Sequence, residues 1–285
     1  IDEYFLRRPY KGDGSYKLAD GSVNPKGGPR DGMIRTKADL DWVAAMMAAG
    51  YTFNNNLKNI GSNGSNLWYG DLIMDDVNGD GKYGNDDDRE FTGKSSTPKV
   101  TLGLNITAAW RGFDLNMTWS GRFGGYHYLN SKGANGSMIT NVGDALPGDA
   151  WDKFYFYDSE AAHAGIIKDE NGTIIGSSYD PATDPNANIS NEYPRLLTSG
   201  GTTPSNTFYL YNTSFFKLKS LQIGYTLPKK WIAPAKISNL RVFVSGENLL
   251  TIKSSRFPGV DPELGSSLAV YPIARMFSGG LSVTF

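Results

Sequence analysis

Alternation of apolar and polar residues is the clearest pattern in this chain. Every second residue within 101–110 and within 113–120 is apolar. Because successive side chains of a strand point to opposite faces, the pattern predicts two antiparallel strands joined by a tight turn at Arg111-Gly112. The same alternation predicts further strands at residues 220–227, 240–245 and 277–285 and a short one at 1–8, about six strands in all.

The connections between these predicted strands alternate in length. Residues 111–112 and 228–239 form short connections, whereas residues 9–98, 124–212 and 251–271 form long ones. Short turns on one side and long loops on the other are typical of outer-membrane β-barrels, whose long loops are extracellular. With the short turns on the periplasmic side, the C-terminus is periplasmic as well.

Aromatic residues concentrate near the ends of the predicted strands, where a barrel carries its interfacial girdles. They are Trp110, Phe113, Trp119, Phe123, Tyr126, Tyr128, Trp231 and Phe285. A soluble antiparallel β-sandwich would show the same alternation, but sandwiches seldom carry connections as long as these. The pattern therefore favours an all-β fold, an antiparallel transmembrane β-barrel segment with long extracellular loops.

One short helix is predicted inside the first long loop. Thr36 and Asp39 have the spacing of a helix start, and Gly50 is a typical stop. Apolar residues spaced for one helix face lie between them: Leu40, Val43, Ala44, Met47 and Ala48. We expect this helix to pack on the surface of its own loop.

Composition excludes several classes of function. The 28 Lys and Arg against 29 Asp and Glu give a formal net charge of -1, which excludes sequence-independent binding of nucleic acid. The chain has no Cys, so it has no disulfide, no Cys-ligated zinc site and no thiol nucleophile. His127 and His163 lack a Ser or Asp partner at motif spacing, and the carboxylates at 86–88 form a solvated run, so no catalytic site and no enzyme activity are predicted.

A divalent-cation loop is the main candidate site. Its candidate ligands are the side chains of Asp76, Asn78, Asp80 and either Asp87 or Asp88, and the backbone carbonyl of Lys82. This spacing matches the first half of a calcium loop, in which a Gly, here Gly81, allows the sharp turn. Because Asp87 stands where Glu is usual, bidentate ligation is open, and the alternative is a turn with solvated carboxylates. We expect any calcium here to be structural.

Two other sets of side chains could contact a ligand. Trp151, Phe154, Tyr155 and Tyr157 form an aromatic cluster in the loop 124–212, suited to stacking on sugar rings or to a partner protein. The alternative, which we favour, is that they form that loop's own small core. Asn105, Asp114, Asn116 and Gln222 lie on the lumenal side of the predicted strands, where they could line a solute path or merely face water.

Several motifs follow one another in a characteristic order and spacing, at residues 76–89, 214–228, 239–249 and 258–263 and in the last strand, which ends in Phe285. Together they resemble the C-terminal region of the SusC/RagA family of TonB-dependent outer-membrane transporters. The resemblance covers most of residues 68–128 and 190–285. It implies a barrel of roughly twenty-two strands around a plug domain, of which this chain supplies the last quarter or so.

The resemblance also implies an organisation and partners. Residues 1–98 would be a strand remnant and an extracellular loop with the helix and the calcium-like loop, and residues 99–285 would be the C-terminal strands with loops 124–212 and 251–271. The partners would be the remaining strands and plug of the same transporter, a SusD-like surface lipoprotein, TonB through the missing N-terminal part, and outer-membrane lipid. We therefore expect a piece of a larger protein.

The function implied is import of oligosaccharides or peptides across the outer membrane. Residues 9–98, 124–212 and 251–271 would then contribute to the surface on which the lipoprotein docks. The alternative is a secreted β-sandwich that binds glycans and carries a calcium-stabilised loop. Detergent-free solubility distinguishes the two, because a sandwich is soluble and a barrel segment is not.

Overall fold

The computed structural model describes residues 3–128, 153–195, 204–257, 261–264 and 273–285. The chain divides into two compact units, each built from two stretches of sequence. The sheet unit contains residues Lys94–His127 and Tyr211–Phe285, and the loop unit contains residues Glu3–Gly93 and Tyr128–Leu210. The stretches on both sides of residue 98 contribute to the loop unit, and the predicted division of the chain at that residue stays a prediction.

The secondary structure of the described residues is mostly strand. The strands are β1 (Glu3–Leu6), β2 (Thr52–Phe53), β3 (Lys82–Tyr83), β4 (Glu90–Ser95), β5 (Val100–Trp110), β6 (Phe113–Phe123), β7 (Tyr126–Tyr128), β8 (Ile166–Lys168), β9 (Ile174–Ser177), β10 (Leu210–Asn212), β11 (Phe215–Thr226), β12 (Asn239–Lys253) and β13 (Met276–Thr284). The helices are α1 (Lys37–Ala48), α2 (Ser159–Ala164) and α3 (Lys229–Ile232). No helix in the described ranges has the length and hydropathy needed to cross a membrane.

Five long strands form one antiparallel sheet in the order β13-β12-β11-β6-β5. The turn between β5 and β6 has positive φ at both Arg111 and Gly112, which is the backbone of a two-residue hairpin turn. The strands predicted at 101–110, 113–120, 220–227, 240–245 and 277–285 are thus confirmed. The strand predicted at 1–8 forms as β1 and pairs with β4 in a separate two-stranded sheet, and its place among the strands of a barrel stays a prediction.

The register gives the sheet one apolar face. Cross-strand partners such as Ile106 and Met117, Leu115 and Ile223, and Val242 and Leu281 lie on it together. This apolar face comprises Leu102, Leu104, Ile106 and Trp110 of β5, Leu115, Met117 and Trp119 of β6, Phe216, Leu218, Leu221, Ile223 and Tyr225 of β11, Val242, Val244, Leu250 and Ile252 of β12, and Phe277, Leu281 and Val283 of β13. Leu281 is 68% exposed and Leu102 is 44% exposed, and in the described part of the chain no second sheet covers this face.

The opposite face is polar, and we call it the polar face. It carries Thr101, Asn105 and Thr107 of β5, Asp114, Asn116, Thr118 and Ser120 of β6, Lys217, Ser220 and Gln222 of β11, Arg241, Phe243, Ser245 and Glu247 of β12, and Ser278 and Ser282 of β13. The hydroxyls of Ser245 and Ser278 hydrogen bond across β12 and β13 at 2.7 Å, as expected for side chains on one face.

The loop unit is organised around α1. Thr36 is the N-cap, its hydroxyl accepts from the Asp39 amide, and the Asp39 carboxylate accepts from the Thr36 amide, which confirms the predicted helix start. The helix does not lie on the surface of its loop as expected, because Leu40, Trp42, Val43 and Met46 are all buried in the core of the unit.

Trp42 explains why the buried face differs from the predicted one. Its indole Nε1 donates to the Asn24 carbonyl oxygen at 2.8 Å, and its ring stacks on Tyr10. Gly28 approaches so closely that a Cβ there would lie 2.4 Å from the Trp42 ring, so this packing requires glycine. The core therefore centres on Trp42 rather than on the Ala44 and Met47 side of the helix.

The two long loops share this core. Tyr69, from the first loop, packs edge-on against Tyr157 and Tyr179 of the second loop. The buried guanidinium of Arg195 also forms two 2.8 Å hydrogen bonds to the carboxylate of Asp71. The connections predicted as separate loops thus fold together.

Candidate functional site

The polar face of the sheet carries a cross-strand ion pair. Arg241 of β12 donates to Asp114 of β6 through Nε at 2.9 Å and through Nη2 at 2.6 Å, and Nη2 also contacts Gln222 of β11 at 3.3 Å. The bidentate geometry is the favourable one for guanidinium and carboxylate. Three strands are therefore joined by side chains, and two of these residues, Asp114 and Gln222, are among those predicted to face the lumen.

Glycine makes room for this ion pair. Gly224 lies on β11 directly opposite Asp114 and Phe243 in the register. A Cβ on Gly224 would lie 2.4 Å from Arg241 Nη2 and 2.5 Å from Asp114 Oδ2. Arg241 therefore crosses the sheet through space that only glycine at position 224 leaves open.

An aromatic side chain also lies on the polar face. The Arg241 guanidinium lies 5.1 Å from the centre of the Phe243 ring, within cation–π range. Phe243 pairs with Gly280 of β13, where a Cβ would lie 2.6 Å from the ring. The ring thus covers the glycine of the neighbouring strand, a packing that supports sheets at such glycines.

A second charged cluster lies on the same face, near the start of β11. Lys217 forms ion pairs with Asp261 and, at 3.1 Å, with Glu263, while Lys219 contacts both Glu263 oxygens at 2.6 and 2.5 Å. We call these four residues the lysine cluster. It holds the turn Pro262–Leu264 against the sheet.

Lys217 belongs to the polar face because Phe216 and Leu218 on either side of it belong to the apolar face. Its partners in the register are Ser120 on β6 and Thr251 on β12. Lys217 is only 1% exposed. Burial alone would raise the pKa of Glu263, but hydrogen bonds and charge from Lys219 and Lys217 outweigh burial and hold that pKa below its ordinary value.

Sequence reasoning missed the lysine cluster. The segment 258–263 and the segment containing Lys217 and Lys219 were both noted as motifs, but nothing in either showed that they touch. A charged residue flanked by Phe and Leu in a strand was the available signal, because such a charge needs a partner if it is buried.

The predicted cation loop closes through its own backbone. The Asp76 carboxylate accepts from the amides of Gly79 and Gly81 at 2.7 and 2.9 Å, and Asn78 Oδ1 accepts from the Asp80 amide at 2.9 Å. Asp80 accepts from the Lys82 amide at 2.8 Å. Among the described residues, no three acidic or histidine side chains converge as a metal site would require, so calcium binding stays a prediction.

Asp88, not Asp87, anchors this loop. Asp88 is buried, and its carboxylate accepts from the amides of Val77 at 2.7 Å, Gly84 at 2.8 Å and Asn85 at 3.1 Å. Burial raises the pKa of Asp88, and these amide donors oppose the shift. Asp87 is exposed. Of the two candidates for the last ligand position, Asp88 is the one whose side chain points into the loop.

The predicted aromatic cluster is largely internal. Phe154 and Tyr155 are buried, and Tyr155 and Tyr157 pack in or against the core of the loop unit. The Tyr155 hydroxyl donates to the Arg35 carbonyl oxygen at 2.7 Å. Trp151 lies outside the described residues. This arrangement matches the alternative that the cluster is the loop's own core, and contact with a ligand stays a prediction.

Comparison with known proteins gives one informative sequence match. The TonB-dependent receptor P3 of Formosa agariphila is 25% identical over 230 residues, an alignment that covers 76% of this chain and 19% of the receptor. The chain thus spans about a fifth of the length of this curated relative. No protein-family model matches the chain.

Solved structures were compared as well. The RagAB peptide importer in its closed-closed state and the RagAB peptide transporter each superpose with a TM-score of 0.49 at 22% identity, over 76% of this chain and 21% of theirs. The sequence match to the Formosa receptor supports the resemblance to TonB-dependent transporters that the motifs predicted, and the chain is similar to a region of such a protein.

Proposed function

We propose that this chain is the C-terminal part of a TonB-dependent outer-membrane transporter that imports oligosaccharides or peptides. The complete protein would supply the remaining strands, the plug domain and the segment that contacts TonB. The chain makes or breaks no bond in this function. Its contribution is a portion of the barrel wall and of the extracellular surface, with the C-terminus on the periplasmic side.

The two-faced sheet carries this proposal. Its five strands are 9 to 15 residues long, which fits the length of a tilted transmembrane strand. One face is apolar from β5 to β13 and the other is polar and holds ion pairs. An apolar face of this extent, left uncovered, is stable in lipid, while the polar face suits a water-filled or plugged lumen.

The same observation weakens the alternative of a secreted β-sandwich. A sandwich buries its apolar face against a second sheet. The small two-stranded sheets β2-β3 and β8-β9 belong to the loop unit, and the described residues contain no second large sheet. A glycan-binding sandwich would therefore leave its core side exposed to water.

The loop unit supports an extracellular role for both long connections. Most of both long connections belongs to one compact unit, Glu3–Gly93 and Tyr128–Leu210, whose core contains several aromatic side chains, rather than to two independent loops. A rigid surface of this kind suits a lasting partner better than two mobile loops, because less ordering is needed on binding. We propose that it contributes to the docking surface for a SusD-like lipoprotein.

Membrane extraction and sidedness test the proposal. The complete transporter should remain in the outer-membrane fraction after a carbonate wash and should leave it only in detergent. A cysteine introduced at exposed Ala235, between β11 and β12, should be shielded from a membrane-impermeant thiol reagent in intact cells and reactive after lysis. Release by carbonate, or reaction of Ala235→Cys in intact cells, would contradict the proposal.

Substrate class requires a separate measurement. Deletion of the transporter should abolish growth on one class of nutrient, either a defined oligosaccharide or a defined peptide mixture, as sole source. Deletion of the SusD-like partner should reduce growth on the same nutrient. Unimpaired growth on both classes would contradict an import role.

A further inference from the structure

The lysine cluster points to a function for the Pro262–Leu264 turn. We propose that this turn lies on the lumenal side of the barrel wall and that Lys217 and Lys219 are positioning residues that hold it there. This inference rests on the proposed transport function. It adds that this part of the wall carries an anchored turn bounding the solute path, instead of a loop that projects outward.

The direction of folding follows from the face on which Lys217 lies. Alternation and register place Phe216 and Leu218 on the apolar face and Lys217 on the polar face. Asp261 and Glu263 reach the Lys217 ammonium directly, so their turn lies over the polar face. In a barrel with its apolar face toward lipid, the polar face is the lumenal one.

The height of the turn follows from the topology. Lys217 lies two residues from the start of β11, at the end of the strand remote from the short hairpin turn at residues 111–112. That end receives the long connections. The turn therefore lies at the extracellular mouth of the lumen, where it narrows the opening on this side.

The ion pair between Lys217 and Asp261 is buried, as in a specific structural contact. Lys217 is 1% exposed and Asp261 is 9% exposed, and a lysine is almost never this buried without paired charge. The cluster has two ammonium and two carboxylate groups, so it is neutral as a whole. Lys217 also pairs in the register with Ser120 of β6. The buried Ser120 hydroxyl has no hydrogen-bond partner among the described atoms.

Thiol accessibility tests this anchoring in the complete transporter in intact cells. The chain has no Cys, so Leu264→Cys introduces the only thiol of this region. We expect slow reaction of Leu264→Cys with a bulky, impermeant maleimide. Adding Lys217→Met should raise the rate about tenfold or more, because loss of Lys217 leaves the buried Asp261 carboxylate without its cation. Lys230→Met, at an exposed lysine of α3, is the matched control and should change nothing.

A charge exchange separates anchoring from general destabilisation. Asp261→Lys combined with Lys217→Glu should restore slow modification of Leu264→Cys, although each single exchange accelerates it. Equal rates with and without Lys217→Met, at normal outer-membrane levels, would overturn the inference. So would failure of the exchange to restore protection.

The sidedness control distinguishes this failure from failure of the proposed function. If Ala235→Cys is shielded in intact cells while Leu264→Cys reacts at one rate in every background, only the inward turn is lost. If Ala235→Cys itself reacts in intact cells, the membrane orientation and the transport proposal both fail.

Discussion

A buried ion pair between Arg195 and Asp71 helps to hold the loop unit together. Arg195 donates to Asp71 through Nε and Nη2 and to the Ser62 carbonyl oxygen at 2.9 Å. Burial alone would lower the pKa of Arg195, but the Asp71 carboxylate outweighs it and raises that pKa, so the guanidinium stays charged. One side chain thereby connects segments that are 124 residues apart.

Replacing Arg195 by Met should therefore loosen the loop unit strongly. Removal of one partner from a buried pair costs about 3–5 kcal/mol, since Asp71 is left as an uncompensated buried charge. Hydrogen exchange of residues 60–75 and 190–195 in the complete transporter should accelerate. Arg8→Met is the matched control, because Arg8 is 48% exposed in its ion pairs with Asp75 and Glu90 and its loss should cost at most about 1 kcal/mol. Equal acceleration in both variants would contradict the argument.

Replacing glycine by alanine should have different effects on folding at two sites of the polar face, Gly224 and Gly103. Gly224→Ala should break the Asp114–Arg241 pair, because its Cβ would overlap both partners. The folded, protease-resistant fraction in the outer membrane should fall. Gly103→Ala, on the polar face of β5, meets nothing within 4 Å and should be neutral or stabilise by up to about 1 kcal/mol, since Gly weakens strands. Loss of folded protein in Gly103→Ala, or none in Gly224→Ala, would contradict this reading of the ion pair.

At the scale of elements, the strands were predictable where their alternation is unbroken. β5 and β6 lie within a residue or so of their predicted starts, because each residue there faces one of two environments. The first part of β11 was missed for a physical reason. Between Leu218 and Ser220 the register shifts by one residue against β6, so Phe216 and Leu221 share a face despite their odd spacing.

The later part of β12 was missed for the same reason. β12 runs to Lys253, well past the predicted end at 245, and Asn248 has a φ of 55° at the irregularity. Leu218 pairs with Leu250 and Ser220 with Glu247, which interrupts the alternation. A pattern with period two cannot be followed through an inserted residue, so the prediction ended where the bulge begins.

The start of α1 gives a prediction at the same scale. Thr36→Ala should destabilise the helix by about 1 kcal/mol, because the Asp39 amide loses its acceptor. The first turn of α1 should show faster hydrogen exchange, with little change in the sheet unit. Thr36→Ser keeps the hydroxyl and should restore most of the protection. Equal loss in the Ser and Ala variants would mean that the Thr36 methyl, not the cap, matters.

The predicted calcium loop separates into two testable parts. Asp88→Asn should loosen residues 76–88 whether or not calcium is present, because the buried carboxylate accepts from several amides. Asp80→Ala should remove only a calcium-dependent gain in protection. The measurement is hydrogen exchange of the complete transporter with calcium and with a chelator. No difference between these two conditions in the unsubstituted protein would contradict calcium binding and leave the loop held by its own hydrogen bonds, those of Asp88 included.

At the scale of the whole molecule, the sequence reveals the sheet better than the loop unit. Strand alternation is local, whereas the core around Trp42, Tyr69 and Tyr155 joins residues far apart in the chain. The sequence indicates that the aromatic residues near 151–157 pack together. It does not show that Tyr69 is their partner. The lysine cluster was missed likewise, because Lys217 and Glu263 are 46 residues apart.

The last strand carries a prediction about the closure of the complete barrel. β13 pairs with β12 from Met276 to Thr284, as expected, and is an edge of the five-stranded sheet. An unpaired strand edge is not tolerated in the hydrocarbon region, because each unbonded amide and carbonyl there costs several kcal/mol. In the complete transporter, the amides of residues 277–283 that point away from β12 should therefore exchange as slowly as those that point toward it.

Deletion of Phe285 tests whether closure of the barrel at β13 depends on the C-terminal aromatic residue. Its ring is 86% exposed in the chain alone, on a strand whose apolar side chains face outward. Deleting Phe285 should lower the amount of transporter assembled in the outer membrane, because the last strand loses an interfacial aromatic anchor and the side chain that ends its alternation. Phe285→Tyr keeps the ring at the interface and should restore assembly. Normal assembly without Phe285, together with fast exchange along the outer edge of β13, would mean that this strand does not close a barrel.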